Sequence, residues 1–172
     1  MKLIHPQITW EEIPQHKDVL LQPIEKNYKK VLLIQWVIVW LIISAVGVAL
    51  ILLIDSLQST LIILLSIIGI FLLGGFHFLS INKGFPQMAY AMREQDVLFR
   101  KGWLFQQLHA VPLSKIQHCV IKKGPLERKY KLASLQLFTA ANASFADIKI
   151  AGLTEEQAER LKEWVLSKTD EI

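Results

Sequence analysis

The pattern of hydrophobic and polar positions divides the chain into two parts, and the first contains one long apolar block. Residues 31–81 include no Lys or Arg and a single acid, Asp55. A short turn-forming stretch around Asp55 separates two apolar runs, residues 31–54 and 61–81. As helices these runs measure about 36 and 32 Å, enough to cross a hydrocarbon core of about 30 Å. The pattern predicts a two-helix transmembrane hairpin.

Two other interpretations of this block fit the sequence less well. A pair of apolar core helices would need burial on every side, and a chain of 172 residues is too short to wrap them. A cleaved secretion signal has an apolar run of about 7–15 residues, whereas the first run here is far longer. It also starts only at residue 31. We therefore expect both segments to remain in the membrane.

The basic residues around the hairpin predict its orientation. The connecting turn has none, but both outer flanks do: Lys17, Lys26, Lys29 and Lys30 before the first run, and Lys83 and Arg93 after the second. The positive-inside rule therefore places both termini in the cytoplasm, including an N-terminal segment at residues 1–30. Trp36 and Trp40 then lie toward the cytoplasmic interface, where aromatic side chains are enriched.

In the second part, continuous hydrophobicity gives way to alternation of period two. The alternating stretches are residues 88–92, 97–102, 103–111, 115–123, 134–140 and 145–150. This period predicts strands, and the short breaks between them favour an antiparallel meander in a barrel or a sandwich.

One amphipathic helix follows the strands. Thr154 and Gln157 have the spacing of a capping box, and Ala158, Leu161 and Val165 lie on one apolar stripe. We expect this helix to close an open end of the barrel.

The order of motifs in this part resembles that of bacterial pleckstrin-homology (PH) domains of the YdbS type. The shared features are an aromatic-rich strand (residues 99–105), Val111-Pro112, Ile116-Gln117, a Gly-Pro-Leu turn with a base (residues 124–128) and a Leu-x-Leu strand (residues 135–140). The resemblance implies a PH-like barrel at residues 84–172, behind the hairpin, in the cytoplasmic (inner) membrane of a bacterium. The phosphoinositide site of many eukaryotic PH domains is not carried over, because the corresponding loop, residues 93–96, is short and net negative.

The positive charge is concentrated in residues 122–131, "KKGPLERKYK", hereafter the basic segment. Its five bases and one acid give +4, equal to the net charge of the whole chain. The bases are Lys122, Lys123, Arg128, Lys129 and Lys131. A solvated loop is one explanation for such a charge run, and contact with anionic lipid head groups or a partner's acidic surface is the other. We predict the second, with Leu126 and Leu132 fixing the segment to the barrel.

Small residues in both apolar runs allow close helix contact. They are Ala45, Gly47 and Ala49 in the first run, and Gly69, Gly74 and Gly75 in the second. Such contact could close the hairpin, support oligomerisation, or do both.

No motif in the sequence predicts a catalytic, cofactor or metal site. His109 and His118 are equidistant from the turn at residues 112–114, so a simple hairpin would place them opposite each other, but a metal would need a third ligand. His77 is expected to have a structural role near the end of the second run. The single cysteine, Cys119, excludes an internal disulfide.

These observations predict a non-enzymatic adaptor or scaffold, tethered to the membrane and acting through the basic segment. The family resemblance implies one partner in particular, a larger membrane protein built from several PH domains. A nucleic acid partner is not expected, because the basic segment is too small. The alternative is a hairpin subunit of an oligomeric channel or transport complex. Its polar positions would be Gln35, Ser44, Ser66 and His77.

Overall fold

The computed structural model describes residues 19–139 and 148–170. Its two long helices are α1 (Asn27–Leu53) and α2 (Thr60–Gly84), joined through a 3-10 turn at Asp55–Leu57. Both are long and apolar enough to cross a membrane. Each extends beyond its predicted apolar run at the end away from the connecting turn, because the helical hydrogen bonding continues into polar residues.

The strands form two antiparallel sheets. Within the described residues they are β1 (Gln22–Pro23), β2 (Ala89–Met92), β3 (Asp96–Lys101), β4 (Gln107–Pro112), β5 (Ile116–Lys122), β6 (Leu132–Thr139) and β7 (Ile148–Thr154). The first sheet has the order β1-β2-β3-β4 and the second the order β5-β6-β7. Together with the C-terminal helix, these sheets form the mainly β domain that the alternation predicts, and the order of its elements agrees with the PH-like domain that the family resemblance implies. The stretch ITWEEI at residues 8–13, whose composition favours a short strand, lies outside the described residues.

The prediction of a hairpin that pairs His109 with His118 is wrong. His109 lies opposite Phe99 of β3, whereas His118 lies opposite Phe138 of β6, in the other sheet. The chain changes sheets at the 3-10 turn Leu113–Lys115, where Leu113 is fully buried and its N–H donates to the carbonyl of Gln95 at 2.9 Å. Burial of this leucine redirects the chain and separates the two histidines.

Two boundaries differ from the predicted strands, each for a local reason. β4 begins only at Gln107, because Gly102 has a left-handed φ of 90° and turns the chain into a loop over residues 103–106. After β5, the predicted simple turn is instead a short helix, α3 (Pro125–Lys129).

The C-terminal helix α4 (Glu155–Asp170) begins as the sequence predicts. The Thr154 N–H donates to the Gln157 side-chain oxygen at 2.9 Å, and the Gln157 N–H donates to the Thr154 hydroxyl at 3.0 Å. Its apolar stripe is buried against the domain core, and the helix contacts all three strands of the second sheet.

The chain just before α1 and the first turns of α1 are part of the domain core, which the sequence did not predict. β1 pairs with β2 through Gln22 and Pro23. Ile24, Tyr28 and Val31 are buried in the same hydrophobic cluster as the strands of the second sheet. The first turns of α1 therefore belong to the PH-like domain, and the hairpin and the domain share one core.

Gly152 of β7 is where α1 and the domain approach most closely. Its φ is +73°, and a Cβ at this position would lie 2.8 Å from Cγ of Tyr28. The N–H of Glu25 also donates to the Gly152 carbonyl at 2.8 Å. A side chain at this position would meet both a strained backbone and the aromatic ring.

We therefore expect Gly152→Ala to lower the free energy of unfolding by about 3 kcal/mol, the sum of left-handed strain and overpacking. Gly84→Ala is the matched control, because Gly84 has a helical φ of −77°. A Cβ there would lie 3.6 Å from Trp103, an ordinary contact. Thermal unfolding of the full-length protein in detergent micelles measures both variants. Equal stability of the two would contradict the close approach of Tyr28.

Candidate functional site

A belt of exposed apolar side chains marks the part of the hairpin that faces lipid. It runs over residues 37–54 of α1 and its following turn, and over residues 61–79 of α2. At 1.5 Å per residue these stretches measure about 27 and 28 Å, close to the thickness of a hydrocarbon core. The belt begins later on α1 than the predicted residue 31, because Val31 is only 1% exposed within the domain core.

The two helices meet most closely at Gly74, which is buried. A Cβ there would lie 3.4 Å from the Trp40 ring, and the Trp36 indole N–H donates to the Gly74 carbonyl at 3.1 Å. The Trp40 indole N–H donates to Nδ1 of His77 at 3.2 Å. His77 is thus engaged in holding the hairpin together.

The other small residues predicted for helix packing lie away from the contact at Gly74. Ala45 and Ala49 are exposed. Cβ atoms placed on Gly47, Gly69 and Gly75 would have no neighbour within 4 Å among the described residues. Within the hairpin itself, the close contact therefore depends on Gly74.

The basic segment is a compact unit attached to the domain. Leu132 is buried in the core, and Leu126 packs against it. Glu127 is only 8% exposed, and its Oε2 accepts the Gly124 N–H at 2.7 Å. This contact closes the first turn of α3 and leaves the bases of that helix directed outward.

The bases of this segment divide into two groups. Nζ of Lys123 lies 3.0 Å from Oε2 of Glu155, at the start of α4. The other four are exposed and have no ion-pair partner among the described residues: Lys122, Arg128, Lys129 and Lys131. The structure thus concentrates unpaired positive charge on α3, at the end of β5 and just before β6.

A cavity of about 580 Å³ is lined by residues of both the basic segment and α1, which also contact each other. Tyr28, Gln35 and Ile38 of α1 form one wall, and Lys122 lies on the opposite side. Lys149 of β7 also lines it. Sequence reasoning missed Lys149, because a single base in an alternating strand is an ordinary solvent-facing residue until the fold shows what lies beside it.

An exposed apolar loop lies beside the end of α2. Leu104 is 59% exposed and Phe105 79% exposed. Trp103 lies next to Gly84, in the last turn of α2. The alternating pattern over residues 103–111 predicted a strand here. Three consecutive large apolar residues after Gly102 break the alternation, and that break is the signal that could have identified the loop.

The loop between β2 and β3 carries no free base in the described structure. The Nε of Arg93 donates to Oδ1 of Asp96 at 2.6 Å, and its terminal nitrogen pairs with Oδ2 of the same carboxylate. The hydrogen bond to Asp96 raises the pKa of Arg93, and a guanidinium is protonated at neutral pH in any case. Glu94 has no ion-pair partner among the described residues, so the loop keeps its net negative charge.

The chain matches a known protein family over most of its length. The model of the bacterial PH domain matches residues 30–169 of the chain. The chain belongs to the bacterial PH-domain family. The matched residues include most of the hairpin as well as the strands from β2 onward, so both features belong to the family pattern.

A similar transmembrane protein supports the same conclusion. The chain is 31% identical over 74 residues to the UPF0699 transmembrane protein YdbS of Bacillus subtilis (strain 168). This alignment covers 43% of the chain and 44% of that protein, less than half of either. No solved structure matches. The chain is thus a YdbS-like membrane protein with a bacterial PH domain, and the predicted family and fold class are confirmed.

Proposed function

We propose that this protein is a non-enzymatic adaptor that holds a partner membrane protein at the membrane surface. The observation that carries the proposal is the burial of Ile24, Tyr28 and Val31 in the core of the PH-like domain. A domain fixed in this way presents its surfaces at a constant height and angle to the lipid. A constant presentation suits a binding platform, because little orientational freedom is lost when a partner binds.

The outward bases of α3 are the proposed contact. Arg128 and Lys129 are exposed on the same short helix, and Lys131 follows it. Opposite charges across an interface steer association and suppress wrong partners. An acidic surface on a larger membrane protein with several PH domains would meet these requirements.

The channel alternative has weaker support from the polar side chains. Gln35 lines the cavity beside the PH-like domain, and His77 already accepts the Trp40 N–H. The Ser66 hydroxyl donates to the Ile62 carbonyl of its own helix at 2.8 Å. These contacts leave few polar groups free to line a pathway through the bilayer.

We propose that both termini, and therefore the PH-like domain, are cytoplasmic. Cysteines introduced at Gln58, in the hairpin turn, and at Ser167, in α4, test this in a Cys119→Ser background. Burial raises the pKa of the Cys119 thiol, although the charge of Lys162 acts in the opposite direction. Replacing Cys119 by Ser therefore removes a thiol of low reactivity. A membrane-impermeant thiol reagent applied to intact cells should label position 58 and not position 167. Labelling of position 167 alone would show that the orientation is the opposite of the one proposed.

Charge reversal on α3 tests the adaptor role. We expect Arg128→Glu with Lys129→Glu to reduce recovery of the partner from native membranes at least tenfold, because it replaces attraction by repulsion. Lys101→Glu with Lys115→Glu is the matched control, since both are exposed bases and the change in net charge is the same. Quantitative mass spectrometry of co-purified membrane proteins compares the three samples.

Either of two results would contradict the adaptor proposal. One is a wild-type protein that enriches no membrane protein over an unrelated bait. The other is a partner recovered equally with both charge-reversed variants, which would place the contact away from α3.

A further inference from the structure

We propose that the cavity between α1 and the basic segment binds an anionic glycerophospholipid, with Lys122 and Lys149 holding its phosphate. This inference rests on the proposed placement of the PH-like domain against the membrane surface. It goes beyond the proposed function by naming a lipid ligand and its binding site. The bases that bind the lipid differ from those proposed to contact the partner protein.

The depth of the cavity matches the depth of a lipid head group. Ile38 lines it and lies one residue inside the apolar belt, which begins at Val37. Tyr28 lines its other end, about 15 Å along the helix. The cavity therefore runs from the edge of the hydrocarbon outward, over the distance that the glycerol and phosphate of a lipid occupy.

The two lysines reach the cavity from the same face of the second sheet. Lys122 lies opposite Ser134, and Lys149 lies opposite Gln136. Residues directly opposite each other point to the same face, and positions 134 and 136 of β6 share that face as well. The fold thus brings together two bases that are 27 residues apart in the sequence.

The charges in the cavity favour an anion. Neither Lys122 nor Lys149 has an ion-pair partner within the part of the chain that the structure describes. Glu127 also lines the cavity, where its Oε2 accepts the Gly124 N–H, and its negative charge leaves the lining with a net charge of +1. Gln35 and Gln136 add amide donors. Two ammonium groups with nearby amides are suited to the oxygens of a phosphodiester.

The apolar wall distinguishes a lipid from an acidic protein segment. Ile38, Pro125 and Leu126 lie along the cavity beside the lysines. A volume of about 580 Å³ accommodates a head group and its glycerol, and it is too small for a helix of a partner. An acyl chain leaving the cavity past Ile38 would continue along the exposed apolar surface of α1.

Lipid binding to the full-length protein in a neutral detergent tests the site. Phosphatidylglycerol and phosphatidylcholine are titrated separately, and bound lipid is counted by native mass spectrometry. The test variant is Lys122→Gln with Lys149→Gln. The matched control is Lys101→Gln with Lys115→Gln, which removes the same charge from exposed positions outside the cavity. Inorganic phosphate is added as a competitor to separate a lipid site from a site for free phosphate.

We expect the wild-type protein and the control to prefer phosphatidylglycerol, and the test variant to bind it about 30-fold more weakly, because each base near a membrane surface contributes about fivefold. An equal loss of phosphatidylglycerol binding in the test and control variants would contradict the proposed site. So would unchanged binding in the test variant, or displacement of the lipid by millimolar phosphate.

Two further measurements keep the outcomes distinct. If the double variant does not fold, the single variant Lys149→Gln is measured instead. Its affinity for phosphatidylglycerol is expected to be about fivefold lower than that of the wild-type protein. Partner recovery is measured on the same variants. In the variant with Lys122→Gln and Lys149→Gln, loss of lipid with the partner retained supports the site independently of the adaptor role. Lipid binding that is unchanged in that variant, while charge reversal at Arg128 and Lys129 still loses the partner, rejects the site and leaves the adaptor role intact.

Discussion

The packing of the first turns of α1 inside the PH-like domain determines how the rest of the molecule is arranged. Tyr28 lies on Gly152, and Ile24 and Val31 fill the same core. Burying three such side chains contributes on the order of 5 kcal/mol, so a detached domain would be populated less than about once in a thousand molecules. A connection that would otherwise be a flexible tether is thereby fixed, and the orientation of the domain follows from the orientation of one membrane helix.

Two surfaces take their position at the membrane from this constraint. The basic segment and Lys149 lie across a cavity from α1, beside the start of the apolar belt. The loop with Leu104 and Phe105 lies beside the last turn of α2. Positive charge and exposed apolar side chains are what membrane interfaces attract. The fold therefore directs one charged and one apolar surface toward the same membrane interface. Neither surface is needed to attach the domain to the membrane, because the hairpin does so.

The parts of this structure that could be predicted from the sequence are those with a local physical signal. Uninterrupted apolar runs predict the hairpin, period-two alternation predicts the strands, and Thr154 with Gln157 predicts the start of α4. Contacts between distant segments have no such signal. The burial of Tyr28 depends on the left-handed Gly152, far away in the sequence, and the change of sheet at Leu113 depends on packing. The candidate site was half predicted, because charge density identified Lys122 but only strand register brings Lys149 beside it.

The central claim, that the hairpin and the PH-like domain form one rigid body, is tested most directly by a distance distribution. Spin labels at Gln58 and Glu159, both exposed, are placed on the full-length Cys119→Ser protein in lipid nanodiscs, and double electron–electron resonance measures their separation. A shared core predicts one narrow peak. A domain that swings on the connection between residues 84 and 89, which can extend up to about 18 Å, would instead give a distribution spread over a comparable range and contradict the claim.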